Sequence, residues 1–198
     1  MKKEKVYVFD YGKVIEKPMD IKKLYKELKS KVTYDEFLDY WTSYENYIDG
    51  FKGVITTEEK IKKHIRKCKC EVDIDEYFKA YKNAKTGFYE DTVDIIRKLK
   101  NENNKVYLLS NLAEIDYEIL KEQFDMNLFD EVFLSYQMHK IKPEKEIFEE
   151  VVNKLGKNSK EILFFDDKEK NVEVARKCGI EAYQVTGENI KECSVWKK

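Results

Sequence analysis

Val6-Tyr7-Val8-Phe9 runs straight into Asp10-Tyr11-Gly12-Lys13-Val14-Ile15, so a carboxylate stands where a buried strand would surface. Two later apolar runs stop in the same way: Val106-Tyr107-Leu108-Leu109 at Ser110-Asn111, and Ile162-Leu163-Phe164-Phe165 at Asp166-Asp167. Lys142-Pro143 lies between these two and adds an ammonium. A lone aspartate is usually a turn or capping residue, Ser-Asn is common loop chemistry, and Lys-Pro suits a helix start with Pro143 at the first helical position. Together the four describe other chemistry. Two adjacent carboxylates at a buried strand end repel unless a cation relieves them, and hard oxygen ligands suit a divalent ion such as Mg²⁺. A further carboxylate beside that ion, with a hydroxyl and an ammonium at hand, is equipped for nucleophilic attack on an anionic group.

These side chains lie far apart in the chain, so the fold must gather them. Each apolar run is too short for a helix and reads as a strand. From Glu90 onward strands and helices alternate. Val93, Ile96 and Leu99 mark a helix, and Lys105 opens a strand. A helix then begins near Ala113, and a short strand follows over residues 131–134. Ile147, Phe148, Val151 and Leu155 mark a helix ended by Gly156, and the strand at 162–165 precedes a helix closed by Gly179 and a last strand at 181–184. Such alternation predicts a parallel sheet with right-handed crossovers, whose strand ends share one ligand-binding edge. Residues 18–89 read as helices alone. Ile21, Leu24, Tyr25 and Leu28 keep helical spacing, as do Tyr34, Phe37, Leu38 and Trp41, and Ile74, Tyr77, Phe78 and Tyr81. Thr33 with Glu36 and Thr56 with Glu59 form capping boxes, and Gly50 and Gly53 are expected to break the helices between them. An insertion after the first strand, seated over the carboxyl edge, is the simplest topology.

The four motifs in this order resemble those of the haloacid dehalogenase-like hydrolase superfamily, most of whose members are phosphatases. The Asp-x-Gly-x-Val-Ile form of the first motif is similar to that of the bacterial glucose-1-phosphate phosphatase branch. The resemblance implies a doubly wound, Rossmann-like α/β core over residues 1–17 and 89–198, with a helical cap over residues 18–88. It implies that Asp10 is the nucleophile and passes through an aspartyl phosphate. Lys142 supplies positive charge to catalysis and to phosphate, and Ser110 and Asn111 bind the phosphoryl group. Mg²⁺ is held by Asp10, the Gly12 carbonyl, Asp166 and Asp167. The substrate would be a small phosphorylated metabolite. Gly12 departs from the pattern, because phosphatases of this superfamily usually carry there a second aspartate that protonates the leaving oxygen. A leaving group that is already acidic, such as the hemiacetal hydroxyl that departs from a sugar 1-phosphate, compensates for that loss. The rivals are a metal-independent 2-haloacid dehalogenase using Asp10 against carbon, and a weakly active phosphate-binding or regulatory protein.

Composition narrows the partners. Lys and Arg number 38 against 39 Asp and Glu, for a net charge of −1, which offers no field for nucleic acid or an anionic membrane. No stretch approaches the ~20 apolar residues of a membrane span, and the basic start is followed by too short an apolar run for a signal peptide, so a cytoplasmic protein is expected. Cys68, Cys70, Cys178 and Cys193 lack disulfide or zinc spacing and read as reduced thiols. Asn171 lies one turn beyond Asp167, where it either buttresses the acidic pair or faces solvent. Lys13 reads as a solvent-facing lysine beside the nucleophile, and His64 and His139 as ordinary histidines. Tyr34, Phe37, Trp41, Tyr44 and Tyr47 are spaced for packing within the helical segment, with one or two of them free to face the substrate.

Overall fold

The computed structural model describes residues 5–196; residues 1–4, most of the basic start, and residues 197–198 lie outside the described part. In chain order the elements are β1 (Val6–Phe9), α1 (Ile21–Glu27), α2 (Tyr34–Thr42), α3 (Tyr44–Phe51), α4 (Thr57–Lys67), α5 (Ile74–Asn83), α6 (Glu90–Asn101), β2 (Lys105–Ser110), α7 (Glu114–Gln123), β3 (Glu131–Leu134), α8 (Ser135–Met138), α9 (Lys145–Leu155), β4 (Ile162–Asp166), α10 (Glu169–Lys177) and β5 (Glu181–Gln184). The strands form one parallel sheet in the order β3-β2-β1-β4-β5.

Strand periodicity explains why both sheet faces are covered. Along β4, Leu163 and Phe165 join one apolar layer with Val93, Ile96 and Leu99 of α6. Ile162 and Phe164 join the other, with Ile147, Phe148 and Val151 of α9 and Val172 and Ala175 of α10. Runs buried on both faces read as continuously apolar, which is why these strands stood out from the sequence. The order of strands reverses at β1: β2 and β3 lie on one side of it, β4 and β5 on the other. The carboxyl end of β1 is therefore the switch point at which doubly wound sheets open a crevice.

Between β1 and α6 stand five helices with their own apolar cluster, including Leu24, Leu28, Phe37, Ile61 and Tyr77. Each such side chain contributes about 1.5–3 kcal/mol when fully buried. Capping boxes start α2 at Thr33 and Glu36, α4 at Thr56 and Glu59, and α5 at Asp73 and Glu76. The cluster also takes in Ala113, Ile115 and Ile119 of the α7 segment, which seats the block on the sheet domain. Its two connections run side by side: Glu16 bridges Phe88 in antiparallel fashion, Lys17 N donates to Gly87 O at 2.9 Å, and Tyr89 N donates to Ile15 O at 2.8 Å.

Three local expectations are corrected. Gly50 does not break a helix but lies buried within α3, pressed against Lys60 and Ala113; Gly53, at φ +63°, is the residue that turns the chain. Tyr44 is 59% exposed and packs edge-on against Tyr47, not into the apolar cluster. Pro143 is not the first helical residue, because α9 begins at Lys145 with Glu144 before it.

Candidate active site

Pairing in the sheet dictates what meets at the crevice. Phe9 is in register with Leu108 on one side and Phe165 on the other. The next residues, Asp10, Leu109-Ser110 and Asp166, are then neighbours on adjacent strands about 4.8 Å apart. Asp10 N donates to Phe165 O at 2.8 Å, which fixes the start of the loop after β1.

Lys142 occupies the centre. Its ammonium has three protons and three acceptors: Asp10 Oδ1 at 2.8 Å, Asp166 Oδ2 at 2.6 Å and the Leu109 carbonyl at 2.9 Å. The side chain is 1% exposed and its ammonium lies over the Phe164 ring. Burial alone would pull the Lys142 pKa down, yet the charges of Asp10 and Asp166 outweigh it and push the value up. Lys142 is therefore a fixed positive charge. Ser110 Oγ donates to Asp10 Oδ1 at 2.7 Å. Burial raises the Asp10 carboxyl toward about 6, against the downward pull of Lys142 and Ser110 and with the Asp166 charge adding to the rise.

Asn111 explains how a lysine from a distant loop arrives. Its side-chain amide clasps the Lys142 backbone, Nδ2 donating to the carbonyl at 2.8 Å and Oδ1 accepting from the N–H at 2.8 Å. The Asn111 side chain thus holds the loop that delivers Lys142.

The acidic pair divides its work. Asp166 Oδ1 accepts from Lys168 N and Asn171 Nδ2, and Oδ2 from Lys142 Nζ and Asn171 Nδ2, so all four lone-pair directions are used. Asn171, buried and bidentate on Asp166, takes the buttressing role rather than the solvated one. Asp167 is a half-buried carboxylate with Lys13 at 3.9 Å, and burial together with the Asp166 charge raises its pKa. One oxygen from each of Asp10, Asp166 and Asp167 lies within 4.8 Å of the others. Gly12 sits beside them with open space where a Cβ would be. Lys13, at φ +60°, turns its 61% exposed side chain outward.

The site opens into a cavity of about 940 Å³ between the sheet edge and the five-helix block. Its far wall carries a second ionic group absent from the sequence analysis. Lys85 Nζ meets Glu16 Oε1 at 3.2 Å and Asp116 Oδ1 at 3.1 Å; Tyr81 donates to Asp116 at 2.7 Å and Tyr11 to Glu16 at 2.8 Å. Burial raises the Glu16 pKa, whereas Lys85 and Lys60 overcome burial to hold Asp116 low. The histidines stand apart. His139 Nδ1 meets the Lys52 carbonyl at 2.9 Å, and His64 is enclosed by the rings of Phe37, Tyr40, Trp41 and Tyr77.

The description "haloacid dehalogenase-like hydrolase" belongs to the family model that matches residues 19–185. The chain belongs to this family. β1 and Asp10 lie ahead of the matched span. A HAD family enzyme of Bacteroides thetaiotaomicron superposes with a TM-score of 0.82 at 26% identity, over 96% of this chain and 98% of that one. A structure of that enzyme in complex with magnesium and inorganic phosphate gives 0.79 at 26%, over 93% and 95%. Two curated relatives match at 31% identity: a sesquiterpene phosphatase of Aspergillus oryzae over 93 residues, and a D-ribitol-5-phosphate phosphatase of Bacteroides thetaiotaomicron over 114. These matches take in 46% and 52% of this chain, and 47% and 55% of the relatives, about half of their length. An L-2-haloacid dehalogenase of Xanthobacter autotrophicus, at 18% identity and a TM-score of 0.64, shares the fold. Among the described residues no helix is long and apolar enough to cross a membrane.

Proposed function

We propose that this haloacid dehalogenase-like hydrolase is a Mg²⁺-dependent phosphatase acting on a small phosphorylated metabolite. The observation that carries this reading is three carboxylates gathered together, Asp10, Asp166 and Asp167, the first two of them paired to one buried lysine. That donor set fits a hard divalent cation. Asp10 Oδ2 and the Asp167 carboxylate have lone pairs to offer, and the Gly12 carbonyl is the neighbouring backbone ligand. Asp166, saturated by its four hydrogen bonds, orients the site or reaches the ion through water. When bound, such a cation neutralises the charge between a carboxylate and a phosphoryl dianion.

The remaining work falls to the chain itself. Asp10 attacks phosphorus, the bond to the leaving oxygen breaks, and water later cleaves the aspartyl phosphate to restore Asp10 and release phosphate. Lys142 holds one Asp10 oxygen in place and adds positive charge beside the transferring group. Ser110 Oγ and the Asn111 backbone bind phosphoryl oxygens. The helical block over residues 18–88 acts as a cap that excludes water from the cavity. Gly12 provides no acid for the departing oxygen, a loss worth about 10² to 10⁴ in rate, so substrates whose leaving group has a low pKa are favoured, such as a sugar 1-phosphate with its departing anomeric hydroxyl.

The test is turnover of p-nitrophenyl phosphate with and without Mg²⁺, in the native chain and in Asp10→Asn. Turnover that needs the metal and disappears in the variant supports the reading. Release of halide from a 2-haloacid without metal would replace it with carbon chemistry, and phosphate binding without turnover would make the protein a sensor rather than an enzyme.

A further inference from the structure

Lys60 differs from the other buried or half-buried lysines of the cavity. Lys142 has two carboxylate partners and so does Lys85. Lys60, on α4, has no carboxylate within salt-bridge distance among the described residues; its ammonium lies 5.6 Å from the centre of the Phe51 ring. It reaches into the cavity that holds Asp10, Ser110 and Lys142, and burial lowers its pKa. Gly50 makes the room: a Cβ there would stand 3.0 Å from Lys60 Cδ and 3.3 Å from Nζ. Lys60 is half-buried and carries a cavity-facing ammonium with no ion-pair partner among the described residues, so a substrate that supplies an acceptor there gains a charge-assisted hydrogen bond.

The surroundings say what kind of acceptor. Asp116 lies close enough for its charge to act on Lys60, and its Oδ1 takes both Tyr81 and Lys85, which leaves Oδ2 as an acceptor. Asn46, 7% exposed, gives its Nδ2 to the Trp41 carbonyl at 3.0 Å and keeps its side-chain oxygen for another donor. Both residues line the cavity, as does Trp41. A donor with three protons, two acceptors and an aromatic face suit a leaving group that carries several hydroxyls. A prenyl chain would bury the same ammonium and carboxylate against hydrocarbon. The two curated relatives act by name on a sesquiterpene and on a polyol phosphate at equal identity, so similarity does not choose between these classes. The cavity wall does.

We infer that Lys60 is the specificity-determining residue of this site and that it selects phosphomonoesters of polyhydroxylated leaving groups. The inference rests on the phosphatase reading for turnover but not for binding. The experiment compares α-D-glucose 1-phosphate, farnesyl phosphate and p-nitrophenyl phosphate in the native chain, Lys60→Met and Gly50→Ala. The native chain prefers the sugar phosphate to the prenyl phosphate. Lys60→Met lowers the ratio of kcat/KM for the sugar phosphate over that for the nitrophenyl ester on the order of ten- to hundredfold, the range of one charge-assisted hydrogen bond. The loss falls mainly on KM. Gly50→Ala displaces the ammonium without removing it and lowers the same ratio by a smaller factor. Thermal unfolding separates structure from specificity, because a lysine held for substrate leaves the Tm of Lys60→Met unchanged or higher, whereas a stabilising lysine would leave it lower. Calorimetric binding of α-D-glucose 1-phosphate to Asp10→Asn, with and without Lys60→Met, reads the same contact without catalysis. An absence of nitrophenyl phosphate turnover would therefore sink the phosphatase reading while the calorimetry still decides the role of Lys60. Preference for farnesyl phosphate, or an unchanged ratio and unchanged affinity in Lys60→Met, would overturn the inference.

Discussion

Asn111→Ala removes both bonds that hold the Lys142 backbone, each 2.8 Å long. The ammonium then loses its fixed position over Asp10. Misplacement of this kind costs on the order of 10²-fold in kcat, which steady-state assays with p-nitrophenyl phosphate would measure. Lys142→Met has a larger structural effect, because Asp10 and Asp166 are left facing each other without their shared cation. Urea unfolding is expected to register about 3–5 kcal/mol of lost stability, with excess Mg²⁺ restoring part of it. The residues around Lys142 were legible in the sequence for a physical reason. Asp10, Ser110 and Asp166 each end an apolar run, and parallel strands bring such ends to one edge. Glu16, Lys85 and Asp116 were not legible, since they are separated by 69 and 31 positions and each looks like an ordinary solvated charge. The division of labour between Asp166 and Asp167 was equally hidden, because it depends on where Asn171 and Lys168 point.

α4 carries a histidine whose titration should be visible in the stability of the molecule. Burial among four rings lowers the His64 pKa to about 3, with the Lys60 charge adding to the fall. Cys68 is its polar neighbour, Sγ to Nε2 at 3.6 Å, and the Nδ1 atom is buried without a hydrogen bond. The folded value lies below the ordinary value of about 6.5, so the unfolded chain binds the extra proton. Stability is therefore full above about pH 6.5 and is lost as the pH falls toward about 3. His64→Phe removes that component, which a comparison of urea midpoints at about pH 7 and about pH 5 would detect. Asp130 works in a lower window. Burial pushes it up, but hydrogen bonds from Lys100, Lys105 and Val106 N hold it at about 2. Its contribution is present above about pH 4 and disappears as the pH falls through 2, so Asp130→Asn flattens the acid limb of the Tm profile. Strand boundaries were more legible than helix boundaries in the inserted block. Both-faces burial marks a strand without ambiguity, whereas Gly50 reads as a breaker until Lys60 and Ala113 are seen to need its missing side chain.

At the scale of the whole molecule, Lys85 ties three segments together: Glu16 on the way into the helical block, Asp116 on α7 and, through Asp116, Tyr81 of α5. Lys85→Met leaves Glu16 without its cation and Asp116 with only the more distant Lys60 charge, and is expected to cost about 3–5 kcal/mol by chemical denaturation. A triple variant that also carries Glu16→Gln and Asp116→Asn should regain most of it, since the penalty lies in the uncompensated charge. The parallel sheet and a helical insertion after the first strand followed from alternation and from the distance between that strand and the rest, whereas the order of the strands did not. The way the block is seated did not, because Ala113, Ile115 and Ile119 carry no pattern that marks them as a foundation for helices 30 or more residues upstream. The paired crossing at Glu16 and Phe88 has an engineering meaning. Chain leaves and returns at a single doorway one hydrogen bond wide, so a foreign helical cassette could be spliced there without shifting any strand by a residue. Such a graft would have to bring its own apolar underside to shelter the α7 surface it inherits.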